Sequence, residues 1–319
     1  MAREKQPIVV GIDIGGTTTT FGFVDRRGNI LANGGIATNL HPNLDEYISS
    51  LHLEVEQVIA NNHITDPIIG IGVGAPAANS KTGEIENAVN LPWPSPTPLA
   101  AMMSKEFDLP VKIANDANAA TIGEMMYGAA RGIKDFIMLT LGTGIGGGVV
   151  VDDRLVLGVG SMAGELGHVV VRQENGRKCG CGRYGCLETY CSATGLVRTA
   201  CRMLAEGTEP SLLREVDVEN ITALDVYKAA VRGDKVAKEV FDYTGEVLGE
   251  ACANYALFTA PEAIVLFGGL AKAGELLFKP VRDSFKRHSL SIFKDKVKII
   301  PSGLREADAA ILGAAAVAW

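Results

Sequence analysis

Apolar positions along this chain recur with two periods, and the switches between them outline the elements. Residues 7–14 (PIVVGIDI) form a β-branched apolar run, GGTTTT turns the chain into FGFVD, RRGN turns it again, and ILANGGIAT follows. Strand, glycine-rich turn, strand, turn, strand predicts a β-meander. Over 43–62 the period changes. Leu44, Ile48, Leu51, Val55, Val58 and Ile59 share one helical face, and Asn43 is suited to cap it. PIIGIGVGAP (67–76) reads as a buried strand, and NLPWPSPTP (90–98), with four prolines, as an extended loop. A short helix at about 97–107, a strand at 111–115, a helix over 116–131 and a strand over 135–142 come next, ending in a second glycine-rich hairpin. Helices are expected at about 192–206, 222–231, 234–259, 274–288 and 306–318, with strands at 263–269 and 297–302. Alternating strands and helices, with a meander opening each half, predict an α/β architecture.

The two meanders echo one another. DIGGTTTTFGFVDRR from Asp13 and TLGTGIGGGVVVDDR from Thr140 align at one offset, matching Gly15 with Gly142, Val24 with Val151, Asp25 with Asp152 and Arg27 with Arg154. Such a long period is not that of a solenoid and predicts a duplicated domain.

Composition narrows the function. The 319 residues, 47% apolar and 21% charged, suit two ordinary globular domains. A net charge of −7 with no Lys/Arg block gives no footprint for nucleic acid. No apolar run reaches the ~18–20 residues of a membrane span. The N-terminal segment lacks a leader's long apolar region, so a cytoplasmic protein is expected. Three of the six cysteines share one octapeptide, which favours metal over disulfides. Cys191, Cys201 and Cys252 fall in helical stretches as core residues.

The chemistry concentrates in four places. His168, Cys179, Cys181 and Cys186 supply the four ligands of a closed tetrahedral zinc site, in a Gly- and Arg-rich loop that apolar packing alone cannot hold. Each Gly/Thr hairpin can offer close backbone amides and hydroxyls to phosphate oxygens. Asp13, at the end of the first strand, can help hold a Mg²⁺ on those phosphates. No GxxxxGK[ST] loop is present. Asn115-Asp116 stands where a strand meets a helix, the end of an α/β sheet at which ligands bind. Asp116 is there either a first-turn helix carboxylate or a general base for a hydroxyl, and Asn115 a polar partner.

DIGGTT from Asp13, NDAN from Asn115, GTGIGGG from Gly142, ELGH from Glu165 and CGCGRYGCLE from Cys179 occur in this order and at spacings that resemble the ROK family (repressors, open reading frames and kinases), and within it the bacterial glucokinases. The resemblance runs from about residue 8 to the end, and the zinc segment is its most specific part. It implies the duplicated actin-like (RNase H-like) ATPase fold, with sugar bound in the cleft between two domains. The expected division is a small domain over 1–114, onto which helix 305–319 packs back, and a large domain over 115–304 carrying the zinc loop. Asp116 would accept the proton of a hexose 6-hydroxyl, while Asn90, Asn115, Glu165, His168 and Glu188 would hold the sugar. Gly15, Gly16, Thr17, Thr18, Gly142, Thr143 and Gly144 would line the phosphates of ATP, and Gly268 and Gly269 the adenosine. Mg²⁺ and a structural zinc are the implied metals, and a homodimer or tetramer the implied assembly.

Within the family, glucose is the foremost acceptor. N-acetylglucosamine, N-acetylmannosamine, mannose and fructose are the alternatives, and polyphosphate is the alternative donor. A repressor of this family carries a winged helix-turn-helix ahead of its first strand, and here Asp13 already lies in that strand. An intact Asp116 with both hairpins argues against a non-enzymatic sugar sensor.

Overall fold

β1 (Ile8–Ile14), β2 (Thr18–Asp25) and β3 (Ile30–Ala37) form the first meander, each strand antiparallel to the next. This computed structural model describes residues 5–319, so the first four residues of the N-terminal segment considered above lie outside the described residues. α1 (Leu44–Asn61) follows; as expected, Asn43 caps it, its side-chain oxygen accepting from the Asp45 amide at 2.9 Å. Then come β4 (Ile68–Gly74), the two-residue strands β5 (Ala78–Asn79) and β6 (Glu84–Ile85), α2 (Leu99–Phe107) and β7 (Val111–Ala114). β4 and β7 extend the sheet in parallel, giving the order β3-β2-β1-β4-β7.

α3 (Asp116–Tyr127) and the last helix, which spans Glu306–Ala318, pack on this same unit. It comprises the chain through Gly132 together with Leu157–Ala163 and Gly303–Trp319. The boundary therefore falls beyond the expected residue 114, for a packing reason. A β-carbon at Gly123 of α3 would lie 2.8 Å from the Cα of Gly313, so the two helices meet backbone to backbone. The last helix in turn lies flat on the sheet, where a β-carbon at Gly72 of β4 would stand 2.0 Å from the Ala314 carbonyl. Its alanine-rich sequence serves that close approach. α3 stops short of the expected residue 131, because Gly128 leaves helical geometry and the Glu124 carboxylate takes the Ala129 amide. Trp93 of the proline loop covers the core, 7% exposed and 4.6 Å from the Tyr47 ring.

The second unit repeats the plan. β8 (Phe136–Leu141), β9 (Ile145–Val151) and β10 (Arg154–Leu155) form the second meander. α4 (Glu188–Cys191), α5 (Ala193–Glu206), α6 (Ala223–Val231) and α7 (Lys235–Thr259) lead to β11 (Ala263–Phe267), α8 (Glu275–His288) and β12 (Lys298–Pro301). The Glu306–Ala318 helix is α9. Strand order is β10-β9-β8-β11-β12, with β11 and β12 parallel additions. Each sheet is thus an antiparallel meander extended by two parallel strands, the duplication that the sequence echo predicts. The core of this unit gathers around the long α7, with Cys191 and Cys252 fully buried in it. Among the described residues no helix is long and apolar enough to cross a membrane.

Candidate active site and metal centre

At the first hairpin the Gly15 amide donates to the Thr18 carbonyl at 3.0 Å, closing a tight turn at the carboxyl end of β1. Thr17 and Thr18 are exposed there, whereas Thr19 is buried. The Thr19 hydroxyl pairs with those of Thr38 and Tyr47, each at 2.8 Å, fastening the turn to the segment just after β3 and to α1. Gly16 faces Asn90, whose carbonyl would lie 2.5 Å from a β-carbon at residue 16.

Asp13 and Asp116 belong to this same unit and feel each other. Burial first, and the neighbouring Asp116 carboxylate second, push the Asp13 carboxyl up to about 6. Asp116 opens α3 and is exposed; its Oδ1 accepts from the Ala117 amide at 2.8 Å. Asn115, expected as a sugar ligand, caps the helix: its Oδ1 accepts from the Asn118 amide at 2.7 Å. A helix starting at residue 116 needs that acceptor, so only the Asn115 Nδ2 is left as a donor.

The second hairpin is braced differently. Its Gly142 amide donates to the Gly144 carbonyl at 3.0 Å, and the Ala193 amide at the start of α5 donates to the Gly142 carbonyl at 2.8 Å. The Ile145 amide donates to Glu188 Oε2 at 2.9 Å. A β-carbon at Gly144 would lie 2.4 Å from that same oxygen, so only glycine leaves room for it. Glu188, expected to hold a sugar hydroxyl, has one oxygen on the hairpin while the other lies 3.7 Å from Cys179 Sγ. Gly268, at φ +103°, ends β11 two residues before the expected end of the strand. It lies against the end of β8, where a β-carbon would stand 2.7 Å from the Leu141 carbonyl. The fold thus brings the Gly268-Gly269 turn beside the Gly142–Gly144 turn.

His168, Cys179, Cys181 and Cys186 converge, with all four ligand atoms within 4.8 Å of one another. His168 Nδ1 is 3.7 Å from Cys179 Sγ, and Cys181 Sγ is 3.7 Å from Cys186 Sγ. Tetrahedral zinc with bonds of ~2.3 Å to sulfur and ~2.0 Å to nitrogen puts neighbouring ligands about 3.5–3.8 Å apart, so the four residues fit the metal. Backbone and side-chain hydrogen bonds from Arg183 hold the exposed Cys181 thiol down at about 6, in favour of the thiolate a metal requires. Burial pushes the Cys186 thiol up to about 12. The other imidazole nitrogen, Nε2, points to Glu165 Oε2 at 3.8 Å.

The residue that pins the loop is one the sequence pattern does not flag. The Arg177 guanidinium donates to the carbonyls of Thr189 and Gly195 and to the Thr199 hydroxyl, and lies 4.6 Å from the Tyr190 ring centre. An arginine in a glycine-rich loop is the sole hint the sequence offers of this role.

Two α/β units, each built on the same five-strand plan with a Gly/Thr hairpin at its strand ends, define the duplicated actin-like ATPase fold. The sequence profile of the ROK family matches residues 9–319, and the chain belongs to that family. It is 39% identical to a glucokinase of Halalkalibacterium halodurans over 95% of this chain and 92% of the relative. It is 35% identical to a glucokinase of Thermotoga maritima over 97% of this chain and 96% of the relative. Among solved structures it is similar to a ROK family glucokinase from Streptomyces griseus in complex with glucose and AMPPNP. That similarity has a TM-score of 0.77 and 32% identity, covering 98% of this chain and 99% of the other.

Proposed function

We propose that this protein is an ATP-dependent glucokinase that transfers the γ-phosphoryl group of ATP to the 6-hydroxyl of glucose. The observation that carries the reading is an exposed carboxylate at the start of α3, beside the strand end that bears Asp13 and the first Gly/Thr hairpin. The full-length similarity to glucokinases supports it.

Asp116 is the general base. Its Oδ1 is held by the Ala117 amide, which leaves Oδ2 to take the proton of the 6-hydroxyl as that oxygen attacks phosphorus. The new O–P bond forms as the bond to the bridging oxygen breaks and ADP departs. A positioned base contributes ~10²–10⁴-fold, and phosphoryl transfer asks the rest of the protein mainly for positioning and charge neutralisation. Gly15, Gly16, Thr17 and Thr18, and Gly142, Thr143 and Gly144, line the phosphates, the amides of Gly15 and Gly142 closing their own turns while the others face the ligand; Gly268 and Gly269 lie against the adenosine. Asp13 is the carboxylate for Mg²⁺, since a buried acid beside a second carboxylate is relieved by a cation. When bound, Mg²⁺ neutralises phosphate charge.

Asn90, the Asn115 Nδ2, Glu165, His168 and Glu188 hold the sugar hydroxyls. His168 Nε2 and Glu165 Oε2, 3.8 Å apart, are a donor and an acceptor for one hydroxyl between them. Zinc on His168, Cys179, Cys181 and Cys186 is structural: with four protein ligands it leaves no open position, and it fixes the tautomer and direction of the His168 ring. A homodimer in the cytoplasm is the setting.

A coupled phosphorylation assay with ATP-Mg²⁺ across glucose, mannose, fructose and the N-acetylhexosamines tests the reading. Glucose is expected to give the highest kcat/KM and 6-phosphate as product. A higher value for an N-acetylhexosamine transfers the activity to that sugar, and no turnover of any hexose contradicts the kinase reading.

A further inference from the structure

A cavity of about 230 Å³ opens beside the second hairpin, wholly within the second unit, lined among others by Thr143, Lys178, Glu188, Ser192, Thr194 and Arg198. Its polar groups divide into those already engaged and those still available. Arg198 Nη1 donates to the Lys178 carbonyl at 3.1 Å, tying α5 to the zinc loop. The Thr194 hydroxyl donates to the Thr143 carbonyl at 3.0 Å, and the Ser192 hydroxyl to the Glu188 carbonyl at 2.7 Å. The one carboxylate in the lining, Glu188, is turned to the Ile145 amide and Cys179. What remains for a ligand is a set of donors: the Lys178 ammonium, the rest of the Arg198 guanidinium and the Thr143 hydroxyl. The positive end of the 14-residue α5 adds to them.

We propose that this cavity is a phosphate subsite in which Lys178 and Arg198 hold a phosphate oxyanion beside the Gly142–Gly144 hairpin. A lysine, an arginine, a threonine and a helix start lining one cavity suit such an anion. Its source is either the phosphate chain of the donor or a separate phosphate ion. The placement also gives the zinc loop a second duty, because Lys178 directly precedes the ligand Cys179 and its backbone is fixed by the same loop. The donor-chain assignment rests on the kinase reading; the anion subsite does not.

The test is calorimetric titration of the zinc-loaded full chain with sodium tripolyphosphate, for the native protein, Lys178→Ala, Arg198→Ala and the double variant. Both side chains are exposed, and Lys178→Ala leaves the Arg198 bond to the residue 178 carbonyl in place, so its melting temperature and zinc content are expected to stay the same; for Arg198→Ala and the double variant, which lose that bond, both are measured as folding controls. The double variant is expected to lose at least about tenfold in tripolyphosphate affinity, as for charged hydrogen bonds, while glucose affinity holds. Lys178→Arg should keep most of the binding. If AMPPNP displaces tripolyphosphate, the subsite serves the donor chain; if both bind together, it takes a separate phosphate ion. Unchanged affinity in the double variant, or no binding by the native protein, overturns the proposal. A protein that phosphorylates no sugar yet loses tripolyphosphate in the variants would sink the kinase reading and leave the subsite standing.

Discussion

The two glycine hairpins have the same place in their sheets but are held by different means. Beneath the first lies the Thr19 hydroxyl, bonded to those of Thr38 and Tyr47, all three residues fully buried. The second is gripped by Glu188, whose other oxygen lies against a cysteine of the metal cluster. Duplication therefore preserved the turn and not its support. One hairpin depends on the core of its own unit, and the other on the loop that carries the four candidate zinc ligands.

Zinc removal should separate the two most sharply. With four ligands in tetrahedral reach, metal present at about 1,000 times its Kd stabilises by about 4 kcal/mol. Stripping it should lower the melting temperature and raise amide exchange over 168–191 and at Ile145, leaving the amides around Thr19 protected. Affinity for both glucose and ATP should fall, because Glu188 and Lys178 depend on the loop. Metal-free, folded protein with unchanged exchange at Ile145 would break the contrast.

A smaller effect belongs to the first hairpin and depends on pH. Burial and the neighbouring Asp116 carboxylate push the Asp13 carboxyl up to about 6 in the fold, from an ordinary value of 3.8. As pH rises, the unfolded chain releases this proton first, so stability falls between about pH 4 and 6 and stays lower above, by up to about 3 kcal/mol. Without Mg²⁺, Asp13→Asn should melt higher than the native protein at pH 8, with the gap closing toward pH 4. A gap that does not change with pH would show that burial does not raise this acid.

The smallest effect expected is that of Gly144→Ala. Its methyl would displace the Glu188 carboxylate from the Ile145 amide, a charged hydrogen bond of about 1.5 kcal/mol, or roughly tenfold in KM for ATP. Steady-state kinetics would read it, and a KM unchanged within about twofold would show that Glu188 does not brace the turn.

Much of this was legible in the sequence because it is written in local spacing. Period-2 and period-3.6 runs placed most elements within a few residues, and a single offset between Asp13 and Thr140 revealed the duplicated sheet. Four candidate ligands between His168 and Cys186 stand close enough in the chain to be picked out without the fold. What escaped depends on side chains that meet only through tertiary packing. Nothing local says that Glu188 would turn to the hairpin. Lys178 and Arg198 lie on a loop and a helix that converge only when Arg177 docks the loop on α5. The first unit runs on to Gly132 for the same reason, since contact between Gly123 and Gly313 joins residues far apart in the chain.

The most direct test of the account is turnover by Asp116→Asn. Asparagine can still accept the Ala117 amide, so the start of α3 should hold and Kd for glucose and for ATP should stay within about threefold. The account predicts that kcat falls by about 10²–10⁴-fold; near-native turnover in this variant would contradict Asp116 as the base.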